Sequence, residues 1–174
     1  MRWRIRQRSP RESGQLNERS PVVGERIVIA SDHAAVELKA VLVTHLQAAG
    51  HQVVDLGPGG VESVDYPDFG YKIAEAIAAG RASRGIALCG SGIGISIAVN
   101  RHPACRCARV DEPLSAQLAR EHNDANVIAM GARLIGPEMA KACVEAFLGA
   151  SFGGDRHQRR VEKLSNPPFA KEPA

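Results

Sequence analysis

Short apolar runs alternate with helix-like segments along most of the 174-residue chain, and this alternation restricts the fold more than any other feature. Each apolar run has the length of a buried strand and stops near a polar residue or a glycine. Strands that alternate with helices favour a parallel sheet covered on both faces, because every crossover carries a helix. We therefore predict an α/β fold with a five-stranded parallel sheet and helices on both faces. The predicted strands cover residues 26–30, 52–56, 85–89, 106–110 and 125–130.

The segments between these strands carry the spacing and the end signals of helices. Residues 34–49 repeat apolar side chains at a helical period and stop at Gly50, a residue type that commonly ends helices. Pro67, Pro113 and Pro137 can each begin a helix, because the N–H of the first helical residue has no intrahelical partner. The predicted helices cover residues 34–49, 67–79, 95–100, 113–122, 137–148 and 156–164, the last as a C-terminal helical tail.

The positive charge of the chain is concentrated at its beginning. The net charge is +3, but residues 1–24 hold six arginines and two glutamates, so they carry +4 and the rest sums to −1. Because the body has no basic bias, we expect no nucleic-acid partner. Residues 1–24 are also rich in Ser, Pro and Gly, and we interpret them as a disordered extension. Whether this extension is native, a targeting segment or a misassigned start is left open by the sequence.

Length and composition predict a single domain. The chain is 44% hydrophobic and 24% charged, which is ordinary for a globular protein. It is also long enough to bury a core without a disulfide or metal to hold it. We expect one domain over residues 25–165 and a flexible C-terminal tail over 166–174. No run of about 18 apolar residues is present, so we expect no membrane span.

The cysteines and histidines lack the spacing of disulfide frameworks and metal sites. The four cysteines form no CxxC pair and follow no secretory segment, which favours a reducing, cytoplasmic compartment. Cys105 and Cys107 alternate along a predicted strand and Cys143 falls in an apolar helix, so we interpret all three as packing residues. The six histidines show neither HxH nor HExxH, and we expect no metal and no other cofactor.

The segment Cys89-Gly-Ser-Gly-Ile-Gly94 connects a predicted strand to a predicted helix. Its alternating glycines allow several backbone N–H groups to approach an anion. It lacks the Gly-Lys of a Walker A loop, and a dinucleotide fingerprint should follow the first strand instead. Cys89 lies beside these donors, where its thiolate would be favoured as a base or a nucleophile. The alternative is a buried small side chain, the usual position of a free cysteine.

Other polar residues lie at the same edge of the predicted sheet, where parallel sheets bind ligands. Asp32 follows the first strand and either caps the next helix or meets a ligand, while His33 could donate to a phosphate or a hydroxyl. His122 lies instead between a predicted helix and the fifth strand, where it either caps its helix or transfers protons near neutral pH.

Three arginines are candidates for holding a phosphate. Arg133 follows the fifth strand at the ligand edge, where a charge is hard to explain by solvation alone. Arg156 and Arg160 lie four residues apart, so they share one helix face and either grip a phosphate dianion or form a solvated basic surface. Asp155 either weakens this phosphate site or pairs with an arginine.

Taken together, these residues resemble the ribose-5-phosphate isomerase B family, which also includes the galactose-6-phosphate isomerase subunits. The resemblance runs in consistent order from residue 25 to residue 164 and leaves residues 1–24 outside. The matching strings are Ala30-Ser-Asp-His-Ala34, Asp65-Tyr-Pro67, Cys89-Gly-Ser-Gly-Ile-Gly-Ile-Ser96, Glu112-Pro-Leu-Ser-Ala-Gln117, Arg120-Glu-His-Asn-Asp124, Gly131-Ala-Arg133 and Arg156-His-Gln-Arg-Arg160.

The resemblance implies a Rossmann-like three-layer sandwich and a metal-free aldose–ketose isomerase. Such an enzyme interconverts D-ribose 5-phosphate and D-ribulose 5-phosphate through an enediolate, a step of the pentose phosphate pathway. It also implies a homo-oligomer, a dimer or a tetramer, with active sites shared between subunits. Part of the family lacks the cysteine and has a glutamate at the position of Ile95, so this chain resembles the cysteine type.

The resemblance also implies a role for each matching residue. Cys89 would be the base, Ser91 would steady the enediolate, and His122 would open the furanose ring. The residues implied to bind the substrate, some of them from the neighbouring subunit, are Asp32, His33, Tyr66, Gly90, Gly92, Ile93, Gly94, Asn123, Arg133, Arg156 and Arg160.

Alternative functions remain open at this point. One is the isomerisation of a hexose 6-phosphate such as allose or galactose 6-phosphate, because the sequence does not resolve sugar length. Another is a non-catalytic phosphosugar-binding protein, although Cys89 and His122 would then be unnecessary. A third is nucleic-acid binding through residues 1–24, which would weaken steeply with salt.

Overall fold

The computed structural model describes residues 24–168, which form one α/β layer structure. The predicted extension over 1–24, except Gly24, and most of the predicted tail over 166–174 lie outside the described residues. The strands are β1 (Arg26–Ser31), β2 (Gln52–Asp55), β3 (Arg84–Cys89), β4 (Cys107–Arg109) and β5 (Val127–Gly131). The helices are α1 (Val36–Ala48), α2 (Tyr66–Ala78), α3 (Ile93–Val99), α4 (Pro113–Asn123), α5 (Pro137–Gly149) and α6 (Asp155–Ser165), with a 3₁₀ turn at His33–Ala35 before α1.

The five strands form one parallel sheet in the order β2-β1-β3-β5-β4, as predicted. From β1 the chain continues outward to β2 on one side, and from β3 it continues to the other side. This reversal opens a crevice at the carboxyl ends of β1 and β3, the usual ligand position in such sheets. Asp32 and Gly90, the residues that follow these two strands, therefore lie at one edge.

Alternate residues of the central strands face two separate hydrophobic cores. Ile27 and Ile29 of β1 belong to the core under α1, α4 and α5, while Val28 and Ala30 face α2 and α3. This alternation explains why the central strands read as continuous apolar runs in the sequence. The cysteines divide in the same way: Cys143 belongs to the first core, whereas the other three, Cys89, Cys105 and Cys107, belong to the second.

A buried lysine anchors the segment that follows β2. Lys39 of α1 is only 3% exposed, and its Nζ donates to Asp55 Oδ1 at 2.8 Å and to the Pro58 carbonyl oxygen at 2.6 Å. The same Asp55 oxygen accepts from the Gly57 N–H at 2.8 Å, and the Gly57 carbonyl accepts from the Ser31 N–H at 3.0 Å. These bonds fix the start of the loop to the carboxyl end of β1.

Within residues 24–168, no helix combines the length and the apolar content needed to cross a bilayer.

Gly70 sets how closely α2 and α3 approach each other. A Cβ at this position would lie 2.7 Å from the Ala98 Cβ and 3.1 Å from the Ile95 carbonyl oxygen. We expect Gly70→Ala to lower the free energy of unfolding by about 1–3 kcal/mol, because neither neighbour can rotate away. Urea unfolding measures this change. Gly149→Ala is the control, since a Cβ at Gly149 meets nothing within 4 Å, and an equal loss in both variants would contradict the prediction.

Candidate active site

The carboxyl end of β3 holds a buried thiol inside a tight glycine loop. Cys89 is 4% exposed, and its Sγ accepts a hydrogen bond from the Gly92 N–H at 3.0 Å. Gly92 has a φ of +76°, and a Cβ there would lie 2.8 Å from the Met130 carbonyl carbon. Only glycine allows the loop to turn back over the sulfur in this way.

The β5 side of the site touches the glycine loop backbone to backbone. A Cβ at Gly131 would lie 2.6 Å from the Ser91 carbonyl carbon. The Ala132 N–H donates to the Cys89 carbonyl at 2.9 Å, and the Arg133 N–H donates to the Gly90 carbonyl at 3.1 Å. The two strand ends are therefore locked together at the site.

Two arginines with different surroundings flank this loop. The Arg133 guanidinium lies against Gly90, and a Cβ added to Gly90 would be 3.3 Å from it. Arg133 forms no salt bridge within the part of the chain that the structure describes. Arg109 of β4 pairs with Asp111 and donates its Nε to the Ser91 carbonyl at 3.2 Å. Arg109 therefore supports the loop, whereas Arg133 is available to an anion.

The loop uses some of its N–H groups internally and leaves others free. The Gly92 N–H is donated to sulfur, and the Ile93 N–H is donated to the Ser91 Oγ at 3.3 Å. The N–H groups of Gly90, Ser91 and Gly94 have no acceptor among residues 24–168. The predicted anion hole over Gly90–Gly94 thus has three unengaged donors.

Two residues after β1 form the opposite wall of the site. Asp32 is buried, and its Oδ1 accepts from the Ala34 N–H at 2.9 Å, so its predicted capping role is confirmed. His33 Nδ1 lies 3.2 Å from both the nitrogen and the carbonyl oxygen of Val64. The backbone of Val64 can therefore satisfy Nδ1 whether this nitrogen accepts from the N–H or donates to the carbonyl oxygen.

Tyr66 lies over the beginning of α3. A Cβ at Gly94 would lie 2.5 Å from the Tyr66 ring, so the tyrosine covers this turn only because residue 94 is glycine. A cavity of about 400 Å³ lies between these walls. Its lining residues are Asp32, His33, Ala34, Tyr66, Cys89, Gly90, Ser91, Gly94, Arg133 and Leu134.

A second cavity, of about 450 Å³, holds another part of the predicted site and shares no lining residue with the first. Apart from Ser151, its polar residues come from the end of α4 and the beginning of α6. His122 and His157 stack face to face with ring centroids 4.3 Å apart and planes 8° apart. Arg156 Nε donates to His157 Nε2 at 3.3 Å. Asp155 also lines this cavity and forms no salt bridge within residues 24–168, so the predicted pairing with an arginine is absent there.

Ion pairs hold the end of α4. Asp124 has a φ of 48° as the residue that closes the helix, and it pairs with Arg106 at 2.6 Å and Arg120 at 2.5 Å. Arg106 Nε also donates to the Asn123 carbonyl at 3.2 Å. The Gly153 N–H donates to the Glu121 carbonyl at 2.8 Å, which attaches the beginning of α6 to the same point.

The structure thus divides the predicted site residues into two groups within one chain. Eight of them line the Cys89 cavity, and Gly92 and Ile93 belong to its loop. His122 and Arg156 line the second cavity. Asn123 and Arg160 line neither of these two cavities and are exposed beside the second group.

Sequence reasoning missed His157 and Arg109. A signal for His157 existed, because Val161 is four residues away and both side chains face inward from α6. Arg109 gave no such signal, since its bond to the Ser91 carbonyl depends on strand order.

The other three thiols lie outside the glycine loop, and burial disfavours their thiolates. Burial raises the pKa of Cys105 to about 11 and the pKa of Cys143 to about 11, and it also raises the pKa of Cys107. At neutral pH these thiols are protonated, which agrees with the packing role predicted for them. Residues 24–168 hold no group of three or more His, Cys, Asp or Glu side chains placed to share a metal ion.

Comparison with known proteins gives consistent relatives. The sequence model of the Ribose/Galactose Isomerase family matches residues 27–164. A ribose-5-phosphate isomerase B of Escherichia coli (strain K12) is 45% identical over 141 residues, which cover 81% of this chain and 95% of that protein. A D-erythrulose-4-phosphate isomerase of Pectobacterium atrosepticum is 45% identical over 140 residues, which cover 79% of this chain and 91% of that protein.

Solved structures show the same similarity. The ribose-5-phosphate isomerase B of Clostridium thermocellum superposes with a TM-score of 0.80 at 46% identity, covering 80% of this chain and 95% of that one. The Rossmann-like three-layer fold expected from the sequence is therefore confirmed.

The surroundings of His157 predict a pH-dependent stability. Burial lowers the pKa of His157 from 6.5, and His122, Arg156 and Arg160 lower it further, while Asp155 acts in the opposite direction. Below pH 6.5 His157 binds a proton in the unfolded chain but stays neutral in the folded chain until the pH reaches its lowered pKa. The free energy of unfolding therefore falls as pH falls from 6.5 towards that pKa. We expect His157→Gln to lose less stability over this range in urea unfolding. Arg159→Gln should match the original chain, and parallel pH profiles for all three proteins would contradict the prediction.

Proposed function

The chain belongs to the ribose/galactose isomerase family, and from this premise we propose that it interconverts D-ribose 5-phosphate and D-ribulose 5-phosphate with Cys89 as the base. One observation carries the catalytic part of the proposal. Cys89 lines a cavity together with Gly90, Ser91 and Gly94, whose N–H groups are unengaged, and with Arg133, which has no acidic partner within residues 24–168. A base, an anion hole and a phosphate-binding cation are the groups that an aldose–ketose isomerisation needs.

The reaction follows from these groups. The Cys89 thiolate removes the proton from C2 of the open-chain aldose, and the electron pair of that C–H bond forms the C1–C2 double bond of an enediolate. Negative charge then develops on O1, where the N–H groups of Gly90, Ser91 and Gly94 can stabilise it. The thiol returns its proton to C1, and the O2 proton moves to O1. The Ser91 hydroxyl belongs to the same loop and can steady the enediolate oxygens.

The phosphate of the substrate binds away from the reacting carbons. Arg133 provides a guanidinium that no described acid neutralises, and His33 lines the same cavity. Binding energy gained at the phosphate orients the sugar over Cys89 without touching the carbons that react. Asp32 and Tyr66 form the walls that meet the sugar hydroxyls.

The active site is completed by a second copy of the chain. His122 and Arg156 lie in a cavity separate from that of Cys89, although the proposed reaction uses both groups. Large apolar side chains are exposed around the Cys89 cavity, including Tyr66, Ile93, Ile97 and Leu134. A homodimer that covers this surface would deliver the partner's His122 to open the furanose ring. It would also bring Asn123 to the sugar, and Arg156 and Arg160 to join Arg133 in binding the phosphate.

The expected cellular setting is consistent with this chemistry. All four cysteines are free, which supports a reducing, cytoplasmic compartment. The reaction places the enzyme in the pentose phosphate pathway.

A coupled assay with EDTA tests the reaction. We expect turnover of ribose 5-phosphate, with allose 6-phosphate and erythrose 4-phosphate as comparison substrates for sugar length. Cys89→Ala should lower kcat by about 10²- to 10⁴-fold, because it removes the base, and it should retain sugar-phosphate binding in calorimetry.

Cys143→Ala is the control, since this buried thiol lies in the core on the other face of the sheet. Turnover of only another sugar would change the substrate and keep the mechanism. An unchanged kcat in Cys89→Ala would contradict the assignment of the base.

Mixed dimers test the shared site. Cys89→Ala and His122→Asn chains, each nearly inactive alone, should regain activity when they are co-expressed with different tags and purified as a heterodimer. One of the two sites then contains both original residues, so we expect up to about half of the original kcat. Failure of the heterodimer to exceed its parents would show that each site draws both residues from one chain.

A further inference from the structure

His157 is a buried titratable residue that the proposed reaction does not use. It is 9% exposed and lies one turn before Val161 on the inward face of α6. It touches two groups that the reaction does use, because its ring face covers His122 and its Nε2 meets Arg156. A side chain needed only to fill space here could be apolar, as Val161 is.

The contact with Arg156 determines where the proton of His157 lies. An arginine Nε always carries a hydrogen and can only donate, so His157 Nε2 must accept at 3.3 Å. The ring is then neutral, with its hydrogen on Nδ1. The charges around it agree, since burial, His122, Arg156 and Arg160 lower the pKa of His157 and only Asp155 raises it.

The same contact orients the arginine. Arg156 is exposed and forms no salt bridge within residues 24–168, so its bond to His157 is what restrains the guanidinium. With Nε held, the plane of the guanidinium is set and both terminal nitrogens remain free. Two parallel N–H donors in one plane are the geometry that binds a phosphate at two oxygens.

The stacked rings orient the second group. The His122 ring lies parallel to that of His157, with 4.3 Å between centroids and 8° between planes. The main chain of His122 is already fixed by the end of α4, so the stack restrains the remaining freedom of its ring. A neutral ring against its face also adds no charge repulsion when His122 binds a proton.

We propose that His157 is a positioning residue for the two functional side chains of the second cavity. It aligns the proton-transferring ring of His122 through stacking, and it aligns the phosphate-binding Arg156 through Nε2. The proposal rests on the proposed function, which assigns those roles to His122 and Arg156. It adds a residue that touches no reacting atom and acts through its two neighbours.

Two substitutions separate the two contacts. His157→Phe keeps a flat ring for the stack and removes the acceptor for Arg156. It should raise KM for ribose 5-phosphate and Kd for inorganic phosphate about tenfold, with little change in kcat. His157→Gln keeps an acceptor near the position of Nε2 and removes the ring. It should lower kcat about tenfold with little change in phosphate binding.

Arg159→Gln is the control, because Arg159 is exposed on the same helix and lines neither cavity. Original values of KM and kcat in both His157 variants would overturn the proposal. Equal losses of kcat and of phosphate affinity in both would overturn it as well, since that is the pattern of a general packing defect.

Measurements on the unaltered protein keep the proposal testable if a variant does not fold. Nitrogen-15 NMR at neutral pH should find His157 Nε2 without a proton, and nuclear Overhauser contacts should connect the His122 and His157 rings. A protonated Nε2 or absent ring contacts would overturn the proposal. If the unaltered enzyme does not turn over ribose 5-phosphate, the proposed function fails, and phosphate calorimetry with NMR still decides the role of His157.

Discussion

The backbone contact between the glycine loop and the end of β5 is the constraint on which the site depends. Gly92 and Gly131 let two turns approach to a distance that no Cβ would permit. This approach brings the Gly92 N–H to the Cys89 sulfur and brings Arg133 against Gly90. The positions of the thiol, the free N–H groups and the cation therefore depend on the absence of side chains at Gly92 and Gly131. Close backbone packing holds these groups in a fixed geometry.

The arginines around the two cavities divide into structural and available ones according to whether they have an acidic partner. Arg106 and Arg120 share Asp124, and Arg109 pairs with Asp111, so these three hold loops in place. Arg133 and Arg156 have no acidic partner within residues 24–168. A guanidinium kept free of carboxylates can bind a phosphate without first breaking an ion pair, which costs less than exchanging one partner for another.

Much of the fold was predictable from local patterns, whereas the relation between distant loops was not. Apolar runs and helix-opening prolines placed every strand and helix within about two residues, because both signals are local. The glycine loop at Cys89 was recognisable for the same reason. The Lys39 anchor, the support from Arg109 and the stack on His157 join residues far apart in the chain, so no local pattern revealed them. The separation of His122 from Cys89 follows from the topology instead, because α4 crosses from the carboxyl end of β4 to the amino end of β5 and so ends at the opposite edge of the sheet.

The loop between β2 and α2 is held at both ends and free in the middle. Lys39 fixes its beginning at Pro58, and His33 meets Val64 near its end. Between these points, Gly59 and Gly60 have open space around them and Val61 is 74% exposed. Insertions, deletions and substitutions in this segment can therefore occur without disturbing the thiol or the glycine loop. Sequence change near the site is therefore least restricted in this segment and most restricted at the contact between Gly92 and Gly131.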